Sequence, residues 1–377
     1  MNSSLLLAHH EKHMKQALDY AQKATRAVTP NPHVGAVVVR DNEIVGIGYH
    51  QKAGEYHAEI LALEDAGTLA NGASLYVTLE PCSTHGKTPA CTDAIIKAGI
   101  KSVFIGCIDP NPAHSGKGIL ILQQHGIAVE TGVLKEKCET LIEDFTKFIT
   151  TGLPFVISKS AISADGKIAT VHGESQWISS PSSRAKVQKI RQNADAILVG
   201  IGTVINDNPS LTVRTKTKNA HQPWRIVIDP ECSIPENARL LNDNYIHKTI
   251  LIVKEHHRNT EKNARLIDKG IQFLFIEEKN QIFNPYTILT QLARIPIVSL
   301  LIEGGGATLG HFFDFHAIDK MIFFIAPKII GGKNAPSPFH GTGVEKIADA
   351  VQLKNVTWKK YACDMMLTGY PNWKKAE

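Results

Sequence analysis

His57, Glu59, Cys82 and Cys91 are residues whose types and spacing could do chemistry. One imidazole and two thiolates are three borderline-to-soft donors suited to zinc, and three protein ligands leave a fourth position for water, the arrangement of a catalytic site. Glu59 stands two residues past the histidine, able to face that water without being a ligand, and so is placed to carry protons. A structural zinc would need a fourth protein ligand, for which His85 in the intervening loop is the nearby candidate. Without a metal, the residues would be unrelated core or surface positions, and His-x-Glu alone is a weak match. Pro81-Cys82 at a strand end and Cys91 at the next helix start favour the open zinc site.

Elements that could position these groups are legible around them. His57 to Leu69 is rich in helix formers and Pro89 to Ala98 reads as a second helix, which sets His57 and Cys91 by helix N-termini, where the dipole favours a thiolate at Cys91. Before them, Met14, Leu18, Ala21, Thr25 and Val28 recur at helical spacing until Thr29-Pro30-Asn31-Pro32 stops the pattern, and Val34 to Val39 reads as a buried strand returning through Ile44 to Tyr49. With strands at Leu75 to Leu79 and Ser102 to Cys107, the order β-β-α-β-α-β predicts a sheet with helices packed on it. Leu134, Cys138, Leu141, Phe145 and Phe148 predict one helix with an apolar face, ended at Gly152-Leu153-Pro154. A fresh series follows: strands at Phe155 to Ala161, Ala196 to Gly200, Arg225 to Asp229, Thr249 to Val253, Gln272 to Ile276, Ile297 to Ile302 and Lys320 to Ile325, with a helix near Pro181 to Asn193. The boundary is therefore placed to give domains 1–151 and 152–377, both α/β.

Composition agrees with two folded domains. The chain has 377 residues, 43% hydrophobic and 20% charged, which excludes collagen-like, disordered and coiled-coil classes. A net charge of +5 is far from the basic stripe of a dedicated nucleic-acid binder. No apolar run approaches the roughly 20 residues of a membrane helix, and no export signal is expected from the first residues. Six cysteines are sparse for this length, so a reducing cytoplasm is expected and paired cysteines are tested first as metal ligands. Cys107, Cys138, Cys232 and Cys363 read as buried small hydrophobes, and His9, His10 and His13 as a solvated helix start.

His-x-Glu followed by Pro-Cys and a second cysteine is the signature of zinc-dependent nucleobase deaminases, with eight residues here, not two, between the cysteines. Glu59 would then pass a proton from water to a ring nitrogen and the departing ammonia. Thr29-Pro-Asn-Pro-His-Val-Gly-Ala-Val-Val-Val39, His57-Ala-Glu59, Leu79-Glu-Pro-Cys-Ser-Thr-His-Gly-Lys-Thr-Pro-Ala-Cys91 and Asp109-Pro-Asn-Pro112 closely resemble the bifunctional pyrimidine deaminase/reductase family of riboflavin biosynthesis, whose own motif has this long spacing. The resemblance continues through Ser163-Ala-Asp-Gly-Lys167, Gly173-Glu-Ser-Gln-Trp-Ile178, Ala194-Asp-Ala-Ile-Leu-Val-Gly200, Leu211-Thr-Val-Arg214 and Leu301-Ile-Glu-Gly-Gly305.

It implies a cytidine-deaminase-like α/β/α sandwich followed by a dihydrofolate-reductase-like α/β domain, one zinc ion, NADPH, and a diaminopyrimidinone ribosylamino phosphate as substrate. The first domain would remove an amine and the second would reduce the opened ribose. By resemblance Asn31, His50 and Lys87 line the deaminase pocket, Lys87 suited to phosphate. Arg191 and Arg214 match substrate-phosphate arginines, and Arg184 lies about two turns before Arg191 on a similar face. Ser175, Asp207, Leu211 and Glu303 match substrate contacts, with Asp207 expected near the reacting carbon. Ala161, Trp177, Thr203 and Asp207 match cofactor-bordering positions. Gly304, Gly305 and Gly306 follow a strand and open a helix, where bare amides can approach a pyrophosphate. The resemblance implies a homo-oligomer.

Some positions depart from the family's usual residues: Thr84, Ala90, Ala164, Lys186 and Asn208. Two rivals remain at this level. A tRNA or single-strand nucleic-acid deaminase would need a basic, aromatic-bearing strand path, against which stand 7% aromatics and the mild charge. A zinc-bearing nucleotide sensor would not need Glu59 and Asp207, both present.

Overall fold

A computed structural model describes residues 3–84, 89–215, 220–277 and 283–373. The chain divides into two compact units, Met1–Leu153 and Pro154–Glu377. The first runs α1 (Ser3–Ala21), β1 (Gly35–Arg40), β2 (Glu43–Tyr49), α2 (Ala58–Ala66), β3 (Ser74–Leu79), α3 (Cys91–Lys97), β4 (Ser102–Cys107), α4 (Lys117–Gln124), β5 (Ala128–Thr131), α5 (Lys135–Leu141) and α6 (Glu143–Thr151). Its five strands lie in the order β2-β1-β3-β4-β5, with β1 antiparallel to β2 and β3, and β3, β4 and β5 parallel. The apolar run of β1 is buried from Gly35 to Val39, as expected of a central strand covered on both faces. A Cβ at Gly48 would sit 2.1 Å from the Ala58 carbonyl oxygen, so the bare glycine lets the start of α2 lie directly on β2.

Three expectations for this unit need correction. The predicted helix from Leu134 to Phe148 is two helices, because Ile142 leaves the helical region (φ −113°, ψ 19°) and is itself buried in the core. The first helix ends at Ala21; Thr25 then caps a short 3₁₀ turn, Arg26–Val28, whose Arg26 is buried against Asp144 at 2.6 Å. His10 and His13 are not solvated: they are 9% and 2% exposed, with the His10 ring stacked on Phe104 at 4.1 Å and hydrogen-bonded to the Tyr76 hydroxyl at 2.9 Å.

The second unit runs β6 (Phe155–Ser163), α7 (Pro181–Gln192), β7 (Ala196–Gly200), α8 (Ile201–Asp207), β8 (Trp224–Ile228), β9 (Thr249–Lys254), α9 (Glu261–Asp268), β10 (Gln272–Ile276), α10 (Pro285–Ala293), β11 (Ser299–Ile302), α11 (Gly306–Asp314), β12 (Lys320–Ala326), β13 (Leu353–Tyr361) and β14 (Asp364–Pro371). The sheet order is β10-β9-β8-β7-β11-β6-β12-β14-β13, parallel from β10 to β12 and antiparallel in the last two pairings. Ser180 caps α7 through the Ser183 N–H, with Pro181 at the first helical position. The terminal hairpin β13–β14 is an addition to the predicted strands; every side chain of β13 except its end residues is exposed, so it lacks the buried face that periodicity detects. Cys363 lies in the turn of that hairpin and is exposed, unlike the buried Cys107, Cys138 and Cys232.

Candidate active sites

In the first unit His57 is the N-cap of α2 and spends no side-chain bond on the helix, leaving its ring free to turn outward. Cys91 is the first residue of α3, and Cys82 follows the end of β3. His57 Nδ1 lies 3.3 Å from Cys91 Sγ and 3.5 Å from Cys82 Sγ, and the three donor atoms fall within 4.8 Å of one another. A tetrahedral zinc with bonds of about 2.1 Å to nitrogen and about 2.3 Å to sulfur spaces such donors about 3.6 Å apart, so the set fits that ion with Nδ1 as the histidine ligand. The Cys91 N–H donates to Cys82 Sγ at 3.4 Å, and hydrogen bonding from Cys91 and His57 lowers the Cys82 thiol against the opposing effect of burial. His85, the alternative fourth ligand, and Lys87 lie outside the described residues.

Glu59, on the first turn of α2, is 3% exposed, and burial pushes its carboxyl up to about 7, with His57 opposing. A cleft of about 520 Å³ opens over these groups, with Asn31, His50, Thr84, Asp109, Asn111 and His114 in its walls. His50 donates from Nδ1 to the Tyr56 carbonyl at 3.0 Å, so its Nε2 accepts from Asn31 Nδ2 at 3.1 Å, and burial lowers its pKa in keeping with a neutral ring. Asn31 is thereby oriented with its carbonyl oxygen unspent on His50. Asp109 and Asn111 belong to a motif noted in the sequence, but no spacing rule assigned them or His114 to the cleft.

In the second unit several expected residues follow strand ends: Glu303 comes just after β11 and Thr203 just after β7, at the C-terminal edge where open parallel sheets usually bind ligands. Glu303, just beyond β11, accepts from Arg191 Nε at 2.7 Å and Nη2 at 3.0 Å, and lies 3.2 Å from Lys159 Nζ; its side chain is 7% exposed. Burial opposes ionisation there, but the adjacent Arg191 and Lys159 hold the carboxyl down to about 2. Arg191 also donates to the Thr212 carbonyl at 3.2 Å, next to the buried Leu211. Lys159 was missed in the sequence; the signal was a lysine inside the strand Phe155–Ser163.

Ser175 donates to Asp207, the last residue of α8, at 3.2 Å. Trp177 is 55% exposed, with the Arg184 guanidinium 4.5 Å from its ring centre. Arg214 is exposed and its N–H donates to Gln188. Ala161 lies in β6 and Thr203 in α8, both half-buried. The three glycines differ in what surrounds them. A Cβ at Gly304 would meet Thr308 at 2.8 Å and one at Gly306 would meet the His340 ring at 2.5 Å, whereas Gly305, the N-cap of α11, has nothing within 4 Å. Gly305 is therefore the open approach to the amides of the α11 N-terminus, which suits a cofactor pyrophosphate.

Residues 154–367 match the family model described as RibD C-terminal domain, and residues 7–107 match the cytidine and deoxycytidylate deaminase zinc-binding region. The chain is 46% identical over 321 residues to riboflavin biosynthesis protein RibD of Aquifex aeolicus, covering 85% of this chain and 88% of that one. It is 42% identical over 361 residues to the Bacillus amyloliquefaciens protein of the same name, covering 96% of each. The crystal structure of a diaminohydroxyphosphoribosylaminopyrimidine deaminase/5-amino-6-(5-phosphoribosylamino)uracil reductase from Thermotoga maritima is similar at a TM-score of 0.84 and 35% identity, over 97% of this chain and 99% of that one. Both halves match in one continuous alignment, deaminase region first and reductase region second, and the chain therefore belongs to the riboflavin biosynthesis protein RibD family of fused deaminases and reductases.

Proposed function

We propose that the first unit hydrolyses an exocyclic amine from a diaminopyrimidinone bearing a ribosylamino phosphate, releasing ammonia, and that the second reduces the ribose of that product to a ribityl chain with NADPH. The observation that carries this reading is the meeting of His57 Nδ1, Cys82 Sγ and Cys91 Sγ beside buried Glu59 under one cleft, in a chain whose second half is a RibD reductase domain. The substrate follows the activities named for the Thermotoga relative.

His57, Cys82 and Cys91 hold zinc, which when bound supplies Lewis-acid activation of water. Glu59 carries the two protons of the attacking water in turn, the first to the ring nitrogen and the second, from the hydroxyl of the tetrahedral adduct, to the amine, so ammonia leaves with the C–N bond as the carbonyl forms. Asn31, oriented by His50, accepts from the pyrimidine edge, and Lys87 serves the phosphate.

In the second unit Arg191 and Arg214 bind the substrate phosphate, and Ser175, Leu211 and Glu303 line the sugar. Ala161, Trp177, Thr203 and Gly304 to Gly306 border NADPH, which supplies the hydride. Asp207 stands near the reacting carbon, where it holds a sugar hydroxyl through its carboxylate.

The partner is a small molecule and not a nucleic acid, supported by a net charge of only +5. The chain is a homo-oligomer of the cytoplasm, supported by six unpaired cysteines and by Val356 and Trp358, exposed at 41% and 56% on the edge strand β13. Among the described residues no helix is long and apolar enough to cross a membrane.

The test is to give the purified chain the diaminopyrimidinone ribosylamino phosphate and follow ammonia release and NADPH oxidation together, with and without a zinc chelator. Chelator-sensitive ammonia followed by NADPH consumption is expected. No ammonia from a zinc-loaded chain would overturn the deaminase reading, and ammonia without NADPH oxidation would overturn the reductase reading. Light scattering tests the oligomer, and salt-dependent RNA binding of steep slope would revive the nucleic-acid alternative.

A further inference from the structure

Glu80 lies between the end of β3 and the ligand Cys82, is 4% exposed, and carries a carboxylate whose described partners are all backbone amides. Oε2 accepts from Asp109 N at 3.2 Å and Gly116 N at 3.0 Å; Oε1 accepts from Gly118 N at 3.0 Å and Ile119 N at 3.4 Å. Two of these donors belong to the first turn of α4, whose leading N–H groups have no partner within the helix and whose N-cap, Gly116, has no side chain to offer. A buried carboxylate is tolerated where its oxygens are filled by charge-assisted bonds, and a helix N-terminus favours the negative charge. The segment it gathers is a wall of the cleft: Asp109, Asn111 and His114 face the same space as Asn31, His50 and Glu59. Within that segment Asn111 N donates to Asp109 Oδ1 at 2.8 Å and Ala113 N to Asn111 Oδ1 at 3.0 Å, so the loop is wound on itself.

We propose that Glu80 is a positioning residue of the deaminase: by gathering the amides of residues 109–119 it locks the wall carrying Asp109, Asn111 and His114 in register with the strand end that bears Cys82, and so sets substrate affinity. The proposal rests on the deaminase reading above. Gly118 belongs to the same joint, since a Cβ there would stand 2.2 Å from the Pro81 carbonyl oxygen.

Glu80→Gln keeps the size of the side chain but turns an NH₂ toward two N–H donors. Displacing a wall by about 1 Å costs on the order of a hundredfold in a well-positioned site. In Glu80→Gln we expect the deaminase KM to rise at least about tenfold with kcat within about threefold, zinc content unchanged, and reductase activity on pre-deaminated substrate unchanged. Hydrogen exchange at the amides of Asp109, Gly116, Gly118 and Ile119 is expected to accelerate. Gly118→Ala, which presses on the same joint from the helix side, is expected to raise KM alike and decides the matter if Glu80→Gln does not fold. A wild-type KM, a loss confined to kcat, or unchanged exchange would overturn the proposal. The exchange arm needs no substrate, so a wild type that releases no ammonia sinks the deaminase reading separately.

Discussion

The deaminase site and the reductase site of this chain are built on opposite plans. In the first unit the reactive groups sit at the starts of two helices and the end of one strand, Glu59 and Cys91 are buried, and three donor atoms lie within 4.8 Å of one another. Among the described residues expected at the second site, the Arg191–Glu303–Lys159 cluster is comparably enclosed, while Trp177, Asp207 and Arg214 stand exposed on loops and helix ends. The difference follows the chemistry. A metal site works only if its donors are held to a fraction of an ångström before the substrate arrives, whereas hydride transfer must admit two large anionic molecules and can complete its enclosure with them.

That contrast can be broken most sharply at Glu59. Glu59→Gln should lower ammonia release by about 10³-fold or more while the reductase still turns over deaminated product; equal losses in both activities would mean the sites are not separable. Next in size, removal of zinc by a chelator, or Cys82→Ser, should abolish deamination and lower the unfolding temperature of the first unit alone, read by calorimetry with the reductase assay as control. In the second unit Glu303→Gln should cost about 3 kcal/mol by denaturant unfolding, since it leaves two enclosed cations without their anion.

The acid response of the same group has a definite sign. Folding holds Glu303 at about 2, against about 4.3 in an unfolded chain, so its contribution is complete above about pH 4.3 and is lost as pH falls toward 2. Wild type should lose stability across that window and Glu303→Gln should respond less. Smallest of all, Ser175→Ala removes one exposed hydrogen bond to Asp207, and should change reductase KM by a few-fold at most and stability not measurably.

Legibility differed between the units for the same reason. His57, Glu59, Cys82 and Cys91 lie within 35 consecutive positions, each near the start or end of an element whose own residues announce it, so the sequence showed the donor set before any fold was known. The buried strands were read nearly to their ends because runs such as Ala196–Gly200 leave no competing pattern, whereas β5, β13 and β14 were not read, β5 and β13 being largely exposed. Where one helix was expected across Leu134 to Phe148, local spacing could not reveal that burial of Ile142 would break it. His10 and His13 read as solvated because histidine usually is; only the sheet beneath them, with Tyr76 and Phe104, makes a buried place for two rings.

By itself, then, the sequence pointed to two α/β units, to His57, Cys82 and Cys91 as a donor set with Glu59 beside it, and to the family. Tertiary structure alone decided that Lys159 stands beside Glu303, that Glu80 gathers amides up to 39 residues away, and that of three adjacent glycines only Gly305 is left open. Those outcomes depend on which distant backbone or side chain arrives at a given point, and a linear pattern carries no record of that until the sheet order brings them together.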